Sequence, residues 1–528
     1  MISPLRLWFR NPVFLLALAA GLIAFIVQSG EVGSADTMHR LQSTHAFWTS
    51  QPPVFPNEFP EFGVHGRGGR LQSWYGIGQS LLMLPQDIVA TYIADLPAFD
   101  NYGDTDPTVR DIVVTYFTSI LISVLTALVC FRFLRQFSFS ISHSIAGVLA
   151  LLLATTHLHY TQNMMENNYI FLLTLTGLLF QYQWLRSGRT RDLLIGSAAL
   201  GLNLLTRLTT ALDIMAVGLF LLLVVWSSEG KQAAWPRLVR YAKTSFPVYF
   251  AFFCIDRLYQ FHRFGTWTDT YVRYFALKYH ALDPTLPPNY PWETPFHVGF
   301  FGALFSREKS IFIFDPLLVL TIAIAVFCWK RLTPQLKAYI AVTFSLVLAY
   351  ICLYARYTVW NGNFAWGDRY VSSAAQMAAV ISVPLLLKHR SQFNQFIWKF
   401  GWVVVLISLV IQISSLMFWL PLEIYQADDF GHPQWIIWLR LKNIIAFALG
   451  KNEAWGLVTD SMGYDQWDFQ HITTWNFLPF VLRRIGEAPK WMVDGAFAVW
   501  TGELILLALI LRKVWNTALS VLTPQPDA

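Results

Sequence analysis

Long apolar runs separated by short polar segments constrain this chain more than any other feature of its sequence. The first run, PVFLLALAAGLIAFIVQ, covers residues 12–28, and similar runs recur almost to the C-terminal end. A membrane-spanning helix needs about 20 predominantly apolar residues, because the hydrocarbon core offers its backbone no hydrogen-bond partners. Charged residues make up 13% of the chain, about half of the share in soluble proteins. The sequence therefore predicts an all-α, polytopic membrane protein.

About twelve of these runs are candidates for membrane spans. They cover residues 12–28, 111–131, 141–157, 167–185, 192–206, 210–226, 244–261, 311–328, 338–354, 371–387, 399–420 and 494–511. Several are shorter than a full crossing, so their limits are expected to shift by a few residues.

Basic clusters between the apolar runs predict the orientation. Every one of them falls on the same side when the runs are counted as spans: Arg6 with Arg10, Arg132 with Arg135, RSGRTR (186–191), KQAAWPRLVRYAK (231–243), KRLTPQLK (330–337), KHR (388–390) and RK (512–513). Loops rich in Lys and Arg stay in the cytoplasm, so this side is predicted to be cytoplasmic. Residues 74–95 are also apolar, but a crossing there would move every later cluster outside. We therefore expect 74–95 to form a helix on the outer surface.

The same count places four long segments on the outer side, namely 29–110, 262–310, 355–370 and 421–493. The formal net charge of +6 does not indicate nucleic acid, because the basic residues are divided among short clusters that membrane orientation explains. No nucleic-acid partner is expected.

The position of the ionisable residues favours an enzyme over a transporter. Secondary transporters place polar groups near the bilayer midplane, at the interface of internal repeats. No repeat is visible here, and Asp213 and Asp256 come closest to a mid-span position. Eight ionisable residues lie near the outer ends of predicted spans, as in an enzyme that works at the membrane surface: Asp36, His65, Arg67, Arg70, Glu166, Arg207, Asp368 and Arg369. A transporter or flippase for a lipid-linked saccharide remains the alternative.

Three polar and aromatic stretches are predicted to meet on the outer side. They are GRGGRLQSWYGIGQSLLMLP (66–85), FGALFSREKSIFIFDPLL (301–318) and WNGNFAWGDRYVSSAAQ (360–376). Aromatic faces stack on sugar rings, and the planar guanidinium of Arg binds phosphate oxygens through two parallel hydrogen bonds. The combination indicates a phosphosugar substrate held at the membrane surface.

The order of several motifs resembles that of the polytopic glycosyltransferases of the GT-C superfamily. After Asp36, which follows the first run, come residues 69–85, QNMMENNYIF with Glu166, LLTRLT (204–209), LFSREKSIFIFDP (304–316) and WNGNFAWGDRY (360–370). The sequence is most similar to glycosyltransferase family 39, to aminoarabinose-transferase-like enzymes and to protein O-mannosyltransferases. The resemblance implies that residues 1–390 form a catalytic transmembrane module, with the first outer loop at 29–110. Residues 391–528 would add C-terminal spans and an outer region at 421–493.

The resemblance also implies the reaction. Such enzymes transfer a hexose or pentose from a polyprenyl-phosphate carrier to an acceptor on the outer side of the membrane, with inversion at the anomeric carbon. A carboxylate base must take the acceptor proton, and cations must stabilise the departing phosphate. The usual base of the family is an Asp in the first outer loop, which corresponds to Asp36.

The remaining candidates would bind donor or acceptor. They are Glu166, Arg207, Arg369, Asp368, Arg70, Arg67, Trp360, Trp366, Arg307 and Lys309. Each has a simpler explanation, since charges at span ends often form a solvated collar and Trp often anchors a helix at the interface. In that case Asp36 would be a helix N-cap, and Arg369 would pair with Asp368 or Glu308.

The metal requirement stays open at this point. Many members of the family carry two acidic residues in the first outer loop, adjacent or one apart, but here Thr37 and Met38 follow Asp36. If a divalent ion binds, Asp36 and His65 are its expected ligands. The expected partners are a polyprenyl-phosphate sugar, membrane lipids and an envelope glycan, lipid or protein acceptor. We expect the chain to reside in a bacterial inner (plasma) membrane, with its active site on the periplasmic or extracellular side.

Overall fold

The computed structural model describes residues 11–54, 62–102, 106–419, 422–428, 432–451 and 474–520. Within these ranges the chain is helical apart from connecting loops and one hairpin of two short antiparallel strands, β1 (Val64–His65) and β2 (Leu71–Gln72). The predicted all-α, polytopic fold is confirmed. Arg6, Arg10 and most of the Trp-rich and Asp-rich stretch 453–476 lie outside the described ranges.

The helices follow one another closely along the chain. The first eleven are α1 (Pro12–Ile26), α2 (Ala35–His45), α3 (Gly78–Ala94), α4 (Val109–Gln136), α5 (Ile141–Ala154), α6 (His157–Asn163), α7 (Asn167–Ser187), α8 (Thr190–Thr206), α9 (Ala211–Glu229), α10 (Lys231–Phe264) and α11 (Tyr271–Leu282). Next come α12 (Phe296–Phe305), α13 (Ile311–Phe314), α14 (Leu317–Cys328), α15 (Pro334–Tyr354), α16 (Ser372–Ala379), α17 (Ser382–Lys388), α18 (Gln395–Ser415), α19 (Leu422–Asp428), α20 (Ile436–Ala448), α21 (Leu478–Ile485) and α22 (Lys490–Ser520).

Each predicted span coincides with a helix or a pair of helices, but their lengths vary widely. Among the described residues, five helices are long and apolar enough to cross a membrane: Val109–Gln136, Leu208–Glu229, Pro334–Tyr354, Gln395–Ser415 and Lys490–Asn516. A sixth would be α5 with α6, which bend by 54° at a short break. The other predicted spans are short, broken or interrupted by polar residues. The number of crossings, about twelve by hydropathy, therefore stays a prediction.

Side-chain caps in the sequence explain where several helices begin. Thr108 caps α4 in a capping box, in which its hydroxyl accepts from the Asp111 N–H while the Asp111 carboxylate accepts from the Thr108 N–H. Ser34 caps α2 by accepting from the Thr37 N–H at 3.2 Å. Such caps satisfy N–H groups that lack a partner within the helix. The cap at Ser34 fixes the start of α2, and with it the position of Asp36.

Small residues allow α7 and α8 to pack at close range. A Cβ atom at Gly177 would lie 2.4 Å from Leu200 Cγ, and one at Gly196 would lie 2.6 Å from Gln181 Cγ. Between membrane helices, close packing takes the place of the hydrophobic effect, so interfaces favour small residues. This close packing determines how Glu166, just before α7, lies relative to Arg207, just after α8.

A larger residue in this interface should therefore destabilise the bundle. We expect Gly177→Val to lower the free energy of unfolding by about 1–3 kcal/mol through overpacking, measured as the unfolding midpoint of the purified protein in detergent. The matched control is Gly218→Val on α9, where the nearest atom to an added Cβ is 3.9 Å away. Equal destabilisation by the two substitutions would contradict the proposed role of Gly177.

Candidate active site

A cavity of about 680 Å³ lies between α2, the start of α7, the junction of α8 with α9, helix α11 and the segment 357–370. We call it the central cavity. Its charged lining residues are Asp36, Arg40, Glu166, Arg207, Asp256, Lys278 and Arg369. These residues come from widely separated parts of the chain, so helix packing brings them together.

Asp36 lies in the first turn of α2 and accepts two strong hydrogen bonds. The Tyr75 hydroxyl donates to Oδ1 at 2.5 Å, and the Arg369 guanidinium donates to Oδ2 at 2.6 Å. Burial raises the pKa of Asp36. Arg369, Arg40 and the Tyr75 hydroxyl together lower the pKa by more than burial raises it, so the net shift is downward. Asp36 is therefore an ionised carboxylate at neutral pH.

Glu166 precedes α7 and is shared by two arginines. Arg40 Nη1 donates to Oε2 at 2.8 Å, and Arg207 Nη2 donates to Oε1. The Glu166 side chain is only 3% exposed. Burial raises its pKa, but Arg40 and Arg207 outweigh burial and hold the pKa of Glu166 well below its ordinary value. Its negative charge is thus stable inside the protein.

Arg207 lies where the chain breaks between α8 and α9. Its backbone is extended, with φ −154° and ψ 120°, which turns the chain out of α8 and into the short 3-10 turn Leu208–Thr210. The guanidinium lies 5.4 Å from the centre of the Tyr370 ring. Burial lowers the pKa of Arg207, but Glu166 raises it above its ordinary value, so the side chain stays charged.

Aromatic side chains form much of the remaining wall of the central cavity. On one side they come from α11 and the loop after it, and include Tyr271, Phe275, Tyr279 and Tyr290. On the other side lies Tyr370, whose ring stacks on Tyr354 with 4.2 Å between centroids. Rings of this kind offer flat apolar faces together with hydroxyl groups at the edge, a surface suited to a sugar.

Four of the predicted site residues meet in the central cavity: Asp36, Glu166, Arg207 and Arg369. The sequence suggested Asp368 or Glu308 as the ion-pair partner of Arg369. In the structure Arg369 pairs with Asp36, 333 positions away. The simpler interpretation of Asp36 as a helix cap does not describe its position, because Ser34 caps α2.

Other predicted site residues support the turn at 360–370 without lining the cavity. Lys309 Nζ donates to the carbonyls of Asn363 and Ala365 at 2.6 and 2.8 Å, and the buried Asp368 carboxylate accepts from the Tyr370 N–H at 3.0 Å. Trp360 packs over Gly302, and Trp366 is buried.

The remaining candidates, Arg67, Arg70 and Arg307, have exposed side chains and do not line the central cavity. Arg67 lies over the Phe261 ring, 5.0 Å from its centroid. A role of these three residues, or of those at the 360–370 turn, in binding stays a prediction.

Several lining residues were not singled out by the sequence. The sequence leaves the role of Arg40 undecided, although its spacing of four from Asp36 places both on one helix face and could have identified it. Tyr75 and Lys278 carry no such signal, because their approach to the cavity depends on the packing of distant helices. Lys278 Nζ lies 5.6 Å from the centre of the Trp74 ring.

The donors predicted for a metal ion are not gathered in the central cavity. His65 is exposed on the β1–β2 hairpin, where its Nδ1 lies 3.1 Å from the Gly69 carbonyl oxygen. Both oxygens of Asp36 are engaged by Tyr75 and Arg369. Among the described residues, no group of three or more His, Cys, Asp and Glu side chains could hold a metal ion. The described residues therefore form no metal site of three protein ligands, and the requirement for a divalent ion stays a prediction.

The fold and the cavity define a helical integral membrane protein with buried arginines and carboxylates around an aromatic-walled cleft. A sequence model of the family described as dolichyl-phosphate-mannose-protein mannosyltransferase matches residues 109–241. No curated protein matches the chain. The matched segment includes Glu166 and Arg207, and it confirms the predicted similarity to GT-C glycosyltransferases. The residues contributed by α2 and by the segment 357–370 lie outside it.

Loss of the Glu166 charge should destabilise the protein. Glu166→Gln leaves the buried guanidinium of Arg40 and the half-buried one of Arg207 without their carboxylate, and breaking a buried ion pair costs about 3–5 kcal/mol. We expect a lower unfolding midpoint in detergent. Asp95→Asn, which neutralises an exposed carboxylate just after α3, is the control and should leave the midpoint unchanged. An unchanged midpoint for Glu166→Gln would show that the arginines do not depend on it.

Stability should also fall in mild acid because of His39, whose ring stacks on Phe62. Burial lowers the pKa of His39 to about 4; Asp36 opposes this shift, and Arg40 and Lys278 add to it. Between pH 6.5 and about 4, the unfolded chain binds a proton at this residue that the folded chain does not. The free energy of unfolding therefore decreases as pH falls, by at most about 1.4 kcal/mol per pH unit.

Unfolding midpoints measured across this pH range test the assignment. His39→Gln should flatten the decrease, whereas His262→Gln, at an exposed position on α10, should preserve it. The same slope in the wild type and in His39→Gln would contradict the assignment.

Proposed function

We propose that this protein transfers a sugar from a polyprenyl-phosphate carrier to an acceptor hydroxyl, in a reaction that inverts the anomeric carbon. The observation that carries the proposal is the ionised Asp36 carboxylate beside the cations of the central cavity. The family match supports a lipid-phosphate sugar as donor, and its description names dolichyl-phosphate-mannose. We propose a hexose as the sugar and a glycan, lipid or protein as the acceptor.

The charges of the central cavity suit a phosphate-bearing donor. Its lining carries four cations, from Arg40, Arg207, Lys278 and Arg369, against three carboxylates. Asp256 is already paired with Arg257 outside the lining, at 2.5 Å. Among the described lining residues positive charge is thus in excess, which suits a phosphate group, and guanidiniums fixed by packing can stabilise the charge that develops on the leaving phosphate.

In this proposal Asp36 acts as the general base. The acceptor oxygen attacks the anomeric carbon, the bond from that carbon to the phosphate oxygen breaks with its electron pair leaving on the phosphate, and the hydroxyl proton moves to the carboxylate. A donor phosphate that draws Arg369 towards itself would weaken the ion pair with Asp36. The pKa of Asp36 would then rise towards its ordinary value, which makes the carboxylate a better proton acceptor when the donor is bound.

The proposed location is a bacterial plasma membrane with the central cavity open to the outer side. The supporting observation is the distribution of basic clusters in the sequence, which places the segments that form the cavity opposite the Lys-rich and Arg-rich loops. In this arrangement the aromatic wall contributed by α11 covers the sugar, while the lipid carrier lies in the bilayer.

Substitution of the base separates transfer from binding. Asp36→Asn keeps the size of the side chain and can still accept a hydrogen bond from Tyr75, but it cannot take up a proton. We expect carrier release to slow by about 10²–10⁴-fold while donor binding is retained. The assay uses purified protein with a panel of polyprenyl-phosphate sugars, and the released polyprenyl phosphate is read by mass spectrometry.

Asp95→Asn, at an exposed site in the same predicted loop, is the matched control and should release the carrier at the wild-type rate. Full activity of Asp36→Asn would contradict the assignment of the base. If the wild-type protein moves labelled donor across liposomes without releasing the carrier, the protein is a transporter and the proposal is wrong.

A further inference from the structure

A second cavity, of about 280 Å³, lies at the far end of the same helices. We call it the distal cavity. Helix α7 starts beside Glu166 in the central cavity, and its last turn, with Leu185 and Arg186, lines the distal cavity. Its 21 residues span about 31 Å at 1.5 Å per residue, close to the thickness of the hydrocarbon core. The two cavities therefore lie about one membrane thickness apart.

The lining of the distal cavity is mainly polar and carries excess positive charge. Its cations are Arg186 at the end of α7, Arg237 on α10 and Lys388 at the end of α17, and its one carboxylate is Glu229 at the end of α9. The uncharged polar lining residues are Gln136, Ser138, Tyr182, Ser228, Thr333 and Gln335. Among the described residues, three cations from three separate helices thus surround one polar space with a single opposing charge.

The cationic groups are oriented by neighbouring side chains and carbonyls. Arg186 Nη1 donates to the Gln136 Oε1 at 2.7 Å. Arg237 donates to the Leu185 carbonyl at 3.2 Å and pairs with Glu229 at 2.9 Å. A guanidinium has five N–H donors, so these bonds hold both groups in place while further donors remain for a ligand. Lys388 Nζ lies 5.1 Å from the centre of the Phe139 ring.

We propose that the distal cavity binds a phosphate ester, supplied by the headgroup of an anionic phospholipid or by a soluble molecule. Guanidiniums match phosphate oxygens in geometry and charge, and basic pockets between helices on the cytoplasmic side are suited to anionic lipid headgroups. Acyl chains would have a surface to lie on, because Met215, Leu219 and Trp226 project from α9 as exposed apolar side chains. Trp226, in the last turns of α9, has the position of an interfacial anchor.

Binding here would tie together the ends of four helices, of which α7 and α9 begin beside the central cavity and α10 lines it with Asp256 and Gln260. The ligand would contact α7, α9, α10 and α17, and neutralise cations that otherwise repel each other. A ligand that binds the folded protein and not the unfolded chain raises the unfolding midpoint by mass action. The inference concerns a different site from the proposed sugar transfer and does not depend on it.

The test measures lipid binding by the full-length protein in detergent. Native mass spectrometry with phosphatidylglycerol and, separately, phosphatidylcholine counts the lipids retained, and unfolding midpoints are recorded with each lipid and with soluble glycerol 3-phosphate. We expect phosphatidylglycerol to bind more tightly than phosphatidylcholine and to raise the midpoint. A rise with phosphatidylglycerol alone identifies a lipid as the source of the phosphate, and an equal rise with glycerol 3-phosphate identifies a soluble one. No preference for either phosphate ester over phosphatidylcholine overturns the proposal.

Charge substitutions locate the binding. We expect Arg186→Gln and Lys388→Gln each to weaken binding of the favoured phosphate ester about fivefold, the contribution of one basic side chain near an anionic headgroup. Lys399→Gln is the matched control, since Lys399 is exposed on α18, near the same end of the bundle, and does not line the cavity. If Lys399→Gln weakens binding as much as Lys388→Gln, attraction is diffuse and the proposal is overturned.

Glu229→Gln gives an effect of the opposite sign. It removes the carboxylate that repels a phosphate and releases Arg237 from its ion pair, so binding should tighten several-fold. A substitution that merely loosened the fold would weaken binding, which makes this variant a check against general destabilisation. Unchanged or weaker binding by Glu229→Gln would contradict the site.

Discussion

The buried carboxylate of Glu166, shared by Arg40 and Arg207, is the interaction on which the central cavity depends. An ionised carboxylate inside a protein is costly unless it is paired and hydrogen-bonded. Its two partners come from α2 and from the break between α8 and α9. Three distant segments must therefore converge around one charge. The same convergence brings Asp36 and Arg369 together, so the candidate active site follows from how the buried charges are satisfied.

Similar polar contacts occur at other helix breaks in the described part of the chain. Between α5 and α6, the Thr156 N–H donates to the buried Asp315 carboxylate at 2.8 Å. The Gln162 amide nitrogen on α6 lies within hydrogen-bond distance of three backbone carbonyls, those of Val27, Leu416 and Asn476. Backbone groups at membrane depth must find partners within the protein, which is why short helices and breaks occur here beside buried side-chain amides and carboxylates.

The C-terminal part of the chain contributes to this architecture. Arg484 pairs with Glu31 at 2.6 Å, and Trp500 donates to the Ile26 carbonyl at 2.9 Å. Both contacts hold the end of α1, from which the chain continues to Ser34 and Asp36. Residues that carried no functional signal in the sequence thus help to position the start of α2, and with it the proposed catalytic base.

Hydropathy by itself determined the helical membrane fold and the approximate position of the helices in the predicted spans, because apolar length and capping residues act locally along the chain. Motif order identified Asp36, Glu166, Arg207 and Arg369, which the structure brings to one cavity. The tertiary structure alone decided that Arg369 pairs with Asp36, that Arg40 faces Glu166, and that Trp360 and Trp366 do not line the cavity. These outcomes depend on how helices far apart in the sequence pack, and hydropathy and local motifs carry no information about such packing.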